Sequence, residues 1–510
     1  MSSNQAEIDA LEYDASLVLS KIRSVKNTFA LINKVPPDIL TLIPDYLEDV
    51  DRDQHLIKLT HVCRGWRETF TSRPSLWTCL DCTSVDKARV YIERAKSCFL
   101  AADLRDAGDT TRWGNAFLLV APHIGRLKTL SIFATSTQVI PVLVEHFSCR
   151  VPLLENLTIN VGTVPKGYPS LPDGLFDGDL SSLRELRLAG VLISLPRSDL
   201  SSLTTLHLCD IPDDRSLLTR LLDFFDSVPN IRHVRLLNSI PSSSDVPANR
   251  VLTLPNLKRF EITAQPAHSI LLNHLSIPAG ASLTLECSYS GGESPIPSHL
   301  PKFSNGLLNL SDITTVSLCF GPERRFLRLH GPSGELRFLG NWNRGRASRP
   351  DAATISFLQS LGQFNLSSSR WLTVQRFNLG PSPHPITDSI VYQTLRSMEN
   401  LFSLTLIHCK NPPFIHTLNP KKNPSAIVVC PNLKEITFYV EGPNDVRVDE
   451  LLGMAEERAS RGRKLSVMTI VSTGTSAPKD VFQLRKHVLR LECKFDDAPP
   501  EWDTLPVQAM

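Results

Sequence analysis

The chain has 510 residues, 42% hydrophobic and 21% charged, which is apolar material enough for two or more domains or one long repeat array. A formal net charge of +2 argues against a large nucleic-acid footprint, because phosphate binding needs a concentrated basic surface. The 11 cysteines follow no disulfide or zinc-finger spacing, no signal peptide is evident and no apolar run reaches the ~18 residues of a membrane span, so the expectation is a reduced cytoplasmic or nuclear protein with no membrane partner.

The first predicted element covers residues 5–32, an amphipathic helix. Its apolar residues Ile8, Leu11, Ala15, Val18, Ile22, Val25, Phe29 and Ile32 step alternately by three and four, the seam of a coiled coil. No proline or glycine interrupts it. Such a helix either self-associates or folds back onto its own domain. Leu17, Leu19 and Leu31 lie off the seam and the run is under four heptads, so packing within the chain is expected.

The second block, residues 33–80, reads "KVPPDILTLIPDYLEDVDRDQHLIKLTHVCRGWRETFTSRPSLW" from Lys34. Pro36 and Pro37 followed by Asp38 suit a helix start: proline lacks an N–H that would be orphaned there, and a carboxylate favours the positive end. Ile39, Leu40, Ile43 and Leu47 then share one side. Pro44 inside that helix should shorten or bend it, since an interior proline costs about 3 kcal/mol. After the turn "EDVDRDQ", Leu56, Leu59, Cys63, Trp66 and Phe70 repeat at helical spacing and predict one apolar stripe on one continuous helix. On such a helix His61 and Cys63, two residues apart, are rotated by about 200°. They could form neither a dyad nor a chelate, and Cys63 would act as a small hydrophobe.

"VPPDIL", "LIKLTHVCRGWRETF" and "PSLW", in that order, resemble an F-box. The resemblance implies a three-helix module docking on the Skp-type adaptor of cullin-based ubiquitin ligases. By match to the motif, the adaptor-binding residues would be Val35, Pro36, Pro37, Ile39, Leu40, Ile43, Leu59, Val62, Cys63 and Trp66, with Leu76 and Trp77 closing the module. Such recognition rests on aliphatic and aromatic anchors set in a groove. Pro44 departs from the family pattern and puts the strength of that docking in question.

From residue 81 to 497 the chain returns to one phrase: "IGRLKTLSIFA", "PLLENLTINV", "SSLRELRLAG", "SSLTTLHLCD", "VPNIRHVRLL", "LPNLKRFEIT", "MENLFSLTLIHC" and "CPNLKEITFYV". The L-x-x-L-x-L frame resembles the leucine-rich-repeat strand. Central positions Leu130, Leu157, Leu186, Leu206, Val234 and Phe260 step by 27, 29, 20, 28 and 26 residues, within the period of such repeats. Helical connectors are expected in "TQVIPVLVEHF" and "DRSLLTRLLDFFDS", looser copies in "ASLTLECSY", "DITTVSLCF", "WLTVQRFNL" and "RKLSVMTIV", and exposed insertions in "SGGESPIPSH" and "NRGRASRPD". The Asn or Cys that follows the L-x-L pair in regular repeats is generally missing, Cys409 excepted, so the loops must be tied down otherwise. The expected class is α+β: an N-terminal helix and three-helix F-box, an irregular α/β leucine-rich-repeat solenoid, and a tail at 498–510.

Catalytic signatures are missing. There is no P-loop, nucleophile elbow, zincin motif or dinucleotide fingerprint, and the glycines of "GPSGELRFLG" are wrongly spaced for a phosphate cradle. Cys79–Cys82 is a lone CxxC, and Asp213–Asp214 precedes a helix, where capping explains it. His384 and Asp388 lack a nucleophile in frame. Arg344, Arg346 and Arg349 read as a solvated loop, the sequons at Asn156, Asn309 and Asn365 as silent. His207 and His408 are expected to line the sheet surface. A non-enzymatic protein without metal or cofactor is expected, its repeats holding a target protein that no motif names.

Overall fold

The computed structural model describes residues 2–46, 52–105, 110–135, 150–162, 180–191, 200–211, 216–240, 249–264, 268–289, 306–321, 324–342, 358–376, 385–409, 413–423, 427–440, 447–472 and 480–495, with a few isolated positions between them. Leu47, Asp213–Asp214, His384, Arg344, Arg346, Arg349, both expected insertions, most of "TQVIPVLVEHF" and the tail lie outside the described residues. The chain divides into two compact units, residues 1–183 with 196–199, and residues 184–195 with 200–510. Both are mixed α/β.

The first unit begins with α1 (Ser2–Thr28), a 3-10 turn (Leu31–Lys34) and α2 (Pro37–Leu40). A second 3-10 turn (Ile43–Tyr46), α3 (Arg52–Thr60), α4 (Arg64–Thr71) and a third turn (Pro74–Trp77) follow. The chain then alternates β1 (Cys79–Asp81), α5 (Val85–Ala95), β2 (Leu100–Arg105), α6 (Thr110–Val120), β3 (Leu127–Ala134) and β4 (Asn156–Val161). The strands are parallel in chain order; parallel neighbours need crossovers, which α5 and α6 supply between the first three. Leu80, Ala102, Leu130 and Leu157 align across the strands, each at most 2% exposed.

Two expectations for this unit are corrected. Helix α1 does not fold back onto its domain: every residue from Gln5 to Ile32 is exposed. The off-seam leucines fail to bury it because Leu17 and Leu19, two apart, point to opposite sides and make no second stripe. The stripe helix is not continuous either. It breaks at His61–Cys63, where Cys63 is extended (φ −158°, ψ 173°) and caps α4. Thr60 and Val62, β-branched, and Gly65 disfavour a helix there, and the Arg67 guanidinium donates to the freed Thr60 carbonyl at 3.0 Å. Pro44 is buried within the second 3-10 turn, and α2 is only four residues long.

The second unit carries β5 (Glu185–Ala189), β6 (Thr205–Cys209), α7 (Leu217–Ser227), β7 (His233–Leu237), β8 (Leu252–Thr253), β9 (Arg259–Ala264), α8 (His268–Leu272) and β10 (Leu275–Ser276). After them come β11 (Ser282–Tyr289), β12 (Thr315–Phe320), β13 (Arg324–Gly331), β14 (Gly334–Trp342), β15 (Trp371–Gln375) and α9 (Pro385–Arg396). It closes with β16 (Ser403–Ile407), α10 (Pro413–Leu418), β17 (Glu435–Val440), α11 (Val448–Ser460), β18 (Leu465–Ser472) and β19 (Val488–Phe495). Strands β5, β6, β7, β9 and β11 pair in parallel and in order, as do β15 to β19. Strands β8 and β10 form a separate parallel pair.

Between the two runs the order departs from simple succession. β11 pairs with β14, and β14–β13–β12 form an antiparallel meander whose last strand pairs with β15. "DITTVSLCF" is therefore not the neighbour of "ASLTLECSY". The glycines of "GPSGELRFLG" turn this hairpin: Gly334 has φ +134°, and a Cβ on Gly331 would overlap the Asp312 carbonyl.

The L-x-L pairs are the core. Leu186, Leu206, Val234, Phe260, Leu283 and Leu336 form one row; Val316, Leu372, Leu404, Ile436 and Met468 form another. None exceeds 3% exposure, and burying such a side chain stabilises by about 1.5–3 kcal/mol. Helix α7 packs Phe225 on the first row, where it meets Phe260 edge-on at 6.4 Å.

Two devices tie down the loops. Four residues after the central apolar position, Gly190, Asp210, Asn238, Arg376 and His408 are left-handed (φ 47–65°). Their N–H groups donate to the next strand at 2.7–3.1 Å, as Asp210 does to Leu237 and His408 to Tyr439. His408 thus ends β16, a correction to its expected place on the sheet surface. Four residues before that position, an asparagine amide donates to the preceding turn: Asn230 to Ser201 (2.8 Å), Asn256 to Pro229 (3.0 Å), Asn400 to Ser367 (2.9 Å) and Asn432 to Glu399 (3.3 Å).

Candidate docking surface

Asn33 is the hub of the block from residue 33 to 80. Its amide donates to the Asn27 carbonyl at the end of α1 (2.8 Å), and its side-chain oxygen accepts the Trp66 indole N–H at 2.8 Å. The Cys63 thiol donates weakly to the same oxygen (3.8 Å) and its sulfur accepts the Trp66 backbone N–H at 3.5 Å. Cys63 is therefore a helix cap as well as packing. Trp66 is 8% exposed and meets Phe70 edge-on at 5.7 Å.

The motif-matched residues fall into two groups. Leu40 and Trp66 are buried, whereas Val35, Ile43, Leu59 and Cys63 are half-buried. Pro36, Pro37, Ile39 and Val62 are exposed, the last two at 50% and 55%. Leu42 and Tyr46 add exposed apolar surface from the same short stretch. Leu76 is half-buried and Trp77 fully buried. The Trp77 indole donates to the Phe70 carbonyl at 2.9 Å, meets Tyr91 edge-on at 4.8 Å and carries the Arg94 guanidinium 4.3 Å above its ring. Trp77 anchors the block to α5.

The second candidate surface is the outer face of the second unit's sheet. The middle residue of each L-x-L pair lies here: Arg187, His207, Arg235, Glu261, Thr284, Arg337 and Arg328 in register, continuing through Ser317, Thr373, Thr405, Thr437 and Thr469. One stretch of the face is thus charged and the other a threonine ladder, in which Thr373, Thr405 and Thr437 are partly exposed while Ser317 and Thr469 are buried. Arg187 pairs with Glu185 at 2.6 Å, and Arg235 and Arg259 flank Glu261 at 3.6 and 3.7 Å. Glu335 binds Arg337 at 2.9 Å and also Arg328. Burial pushes the Glu335 carboxyl up, but the two guanidiniums outweigh it and hold the group below the ordinary glutamate value. Burial, then Arg187, lowers His207, favouring its neutral form. His207 alone of this row is expected on the sheet surface; the row is visible in sequence as the x of every L-x-L, but its charge pattern needs the register.

Three cysteines and the Asn309 sequon are poorly placed for chemistry. Burial first, then Asp81 and Asp103, pushes the Cys82 thiol up to about 12. Cys209, which donates to Asp210 at 3.2 Å, and buried Cys430 are likewise pushed up to about 12. A thiol so raised stays protonated and is a poor nucleophile. Asn309 is 1% exposed with its amide bonded to Ala281 and Glu335 carbonyls. Among the described residues no group of His, Cys, Asp or Glu could hold a metal ion, and no helix is long and apolar enough to cross a membrane.

No protein-family model matches the chain, and no curated protein matches it.

Proposed function

We propose that the chain is a non-catalytic substrate receptor of a Skp–cullin–F-box ubiquitin ligase. The 33–80 block docks on a Skp-type adaptor and, through it, a cullin. The second unit acts as an irregular leucine-rich-repeat solenoid whose outer sheet face holds a target protein. Transfer is then promoted by proximity within the assembly, with no catalytic residue in this chain. The observation that carries the reading is the ordered motif, whose Pro36, Pro37, Ile39 and Val62 stand exposed on a frame held by buried Leu40 and Trp66. Affinity purification of the full chain should recover the adaptor. Ile39→Asp with Val62→Asp should abolish recovery while leaving the fold intact, since both side chains are at least half exposed. An intact protein that recovers no adaptor sinks the reading.

The four-residue α2 that precedes Pro44 favours a second reading, a repeat scaffold whose degenerate F-box does not assemble with a cullin. Adaptor without cullin in the purified complex, and no ubiquitylation of any bound partner, selects it.

A further inference from the structure

Helix α1 presents an apolar seam to solvent along its whole length: Ile8 is 49% exposed, Leu11 64%, Val18 56%, Ile22 58%, Val25 60% and Phe29 75%. No described residue covers it, and a seam of alternating three and four steps fits another helix better than a flat surface. The charges beside the seam are segregated. Glu7, Glu12 and Asp14 flank it in the N-terminal half and Lys21 and Lys26 in the C-terminal half, with Asp9 and Arg23 of matching sign on the outer face. This distribution suits the helix dipole and also restricts the partner.

We propose that α1 pairs antiparallel with α1 of a second copy of this chain. In a parallel pair the flanking contacts would set Glu7 against Glu12 and Lys21 against Lys26 of the other copy, like charge on like. Reversing one helix puts the acidic half beside the basic half: on one flank Glu12 lies near Lys26 of the second copy, and on the other Asp14 faces Thr28, leaving the central Lys21 against its own counterpart as the single like-charge contact. The seam fits the same reversal: Leu11 meets Phe29, Ala15 meets Val25, and Val18 meets Ile22. Leu19, off the seam at 47% exposure, then meets its own counterpart at the centre. A membrane surface is a poorer occupant, because four carboxylates in one half oppose an anionic lipid layer. The proposal is independent of the adaptor reading.

Light scattering on the full chain across a concentration series should approach twice the 56.7 kDa chain mass. Ile22→Asp should return the monomer and leave adaptor recovery unchanged, which separates this proposal from the previous one. Glu12→Lys should weaken association about tenfold through two symmetric contacts, and adding Lys26→Glu in the same chain should restore it. The exposed seam makes these variants safe for the fold, as unchanged circular dichroism should verify. A chain monomeric at every concentration, a dimer indifferent to Ile22→Asp, tighter association from Glu12→Lys alone, or vesicle binding in place of self-association each overturns the proposal.

Discussion

Cys63, which its stripe position marks as a small hydrophobe, is in three dimensions the cap of α4. Its sulfur holds the Trp66 N–H and its neighbour Asn33 holds the Trp66 indole. A hydrophobic filler and a helix cap respond oppositely to oxygen at that position. Cys63→Ala should cost about 0.5–1.5 kcal/mol, whereas Cys63→Ser should match or exceed the wild type, because serine is among the best N-caps. Chemical denaturation of the two variants measures this directly, and a serine variant weaker than the alanine one would return Cys63 to the role of packing. Trp66 and Trp77 could be recognised from the sequence by their spacing. Asn33 could not, since its partner lies 33 positions away and polar contacts at that range leave no periodic trace.

At the scale of elements, the repeated strand phrase was readable because alternating burial depends on neighbours along the chain. The asparagines of "PNI", "PNL" and "ENL" stand in the same phrases, but ahead of the L-x-L pair, whereas regular repeats place theirs after it. Here the amide works at the entrance of the strand and a left-handed residue works at the exit. Each of Asn230→Ala, Asn256→Ala, Asn400→Ala and Asn432→Ala should lower stability by about 0.5–1.5 kcal/mol, nearer the lower figure because these bonds are exposed. Asn432 also donates to Asn400 at 3.2 Å. The pair Asn400/Asn432 should therefore be non-additive while Asn230/Asn432 adds; equal additivity in both pairs would remove the coupling. The meander β12–β13–β14 was hidden for a related reason. Each of its strands alternates like its parallel neighbours, and alternation does not encode strand direction.

For the whole molecule, the division into two units and the bare α1 carry a prediction about stability. A helix that buries nothing contributes little to the cooperative core. The chain lacking residues 2–24 should unfold at nearly the same midpoint as the full chain when followed by tryptophan fluorescence, all six tryptophans lying elsewhere. A shift of more than a few degrees would mean that α1 packs on the core. The residue order alone determined the repeated strand phrases, their buried faces and the heptad seam, because those follow from periodicity over a few neighbouring residues. Only the tertiary structure decided that the stripe helix breaks at Cys63, that α1 stays uncovered, that β14 replaces β12 beside β11, and which side chains stand together on the sheet face. Those outcomes rest on contacts between residues tens of positions apart, where burial and hydrogen bonding outweigh local preference.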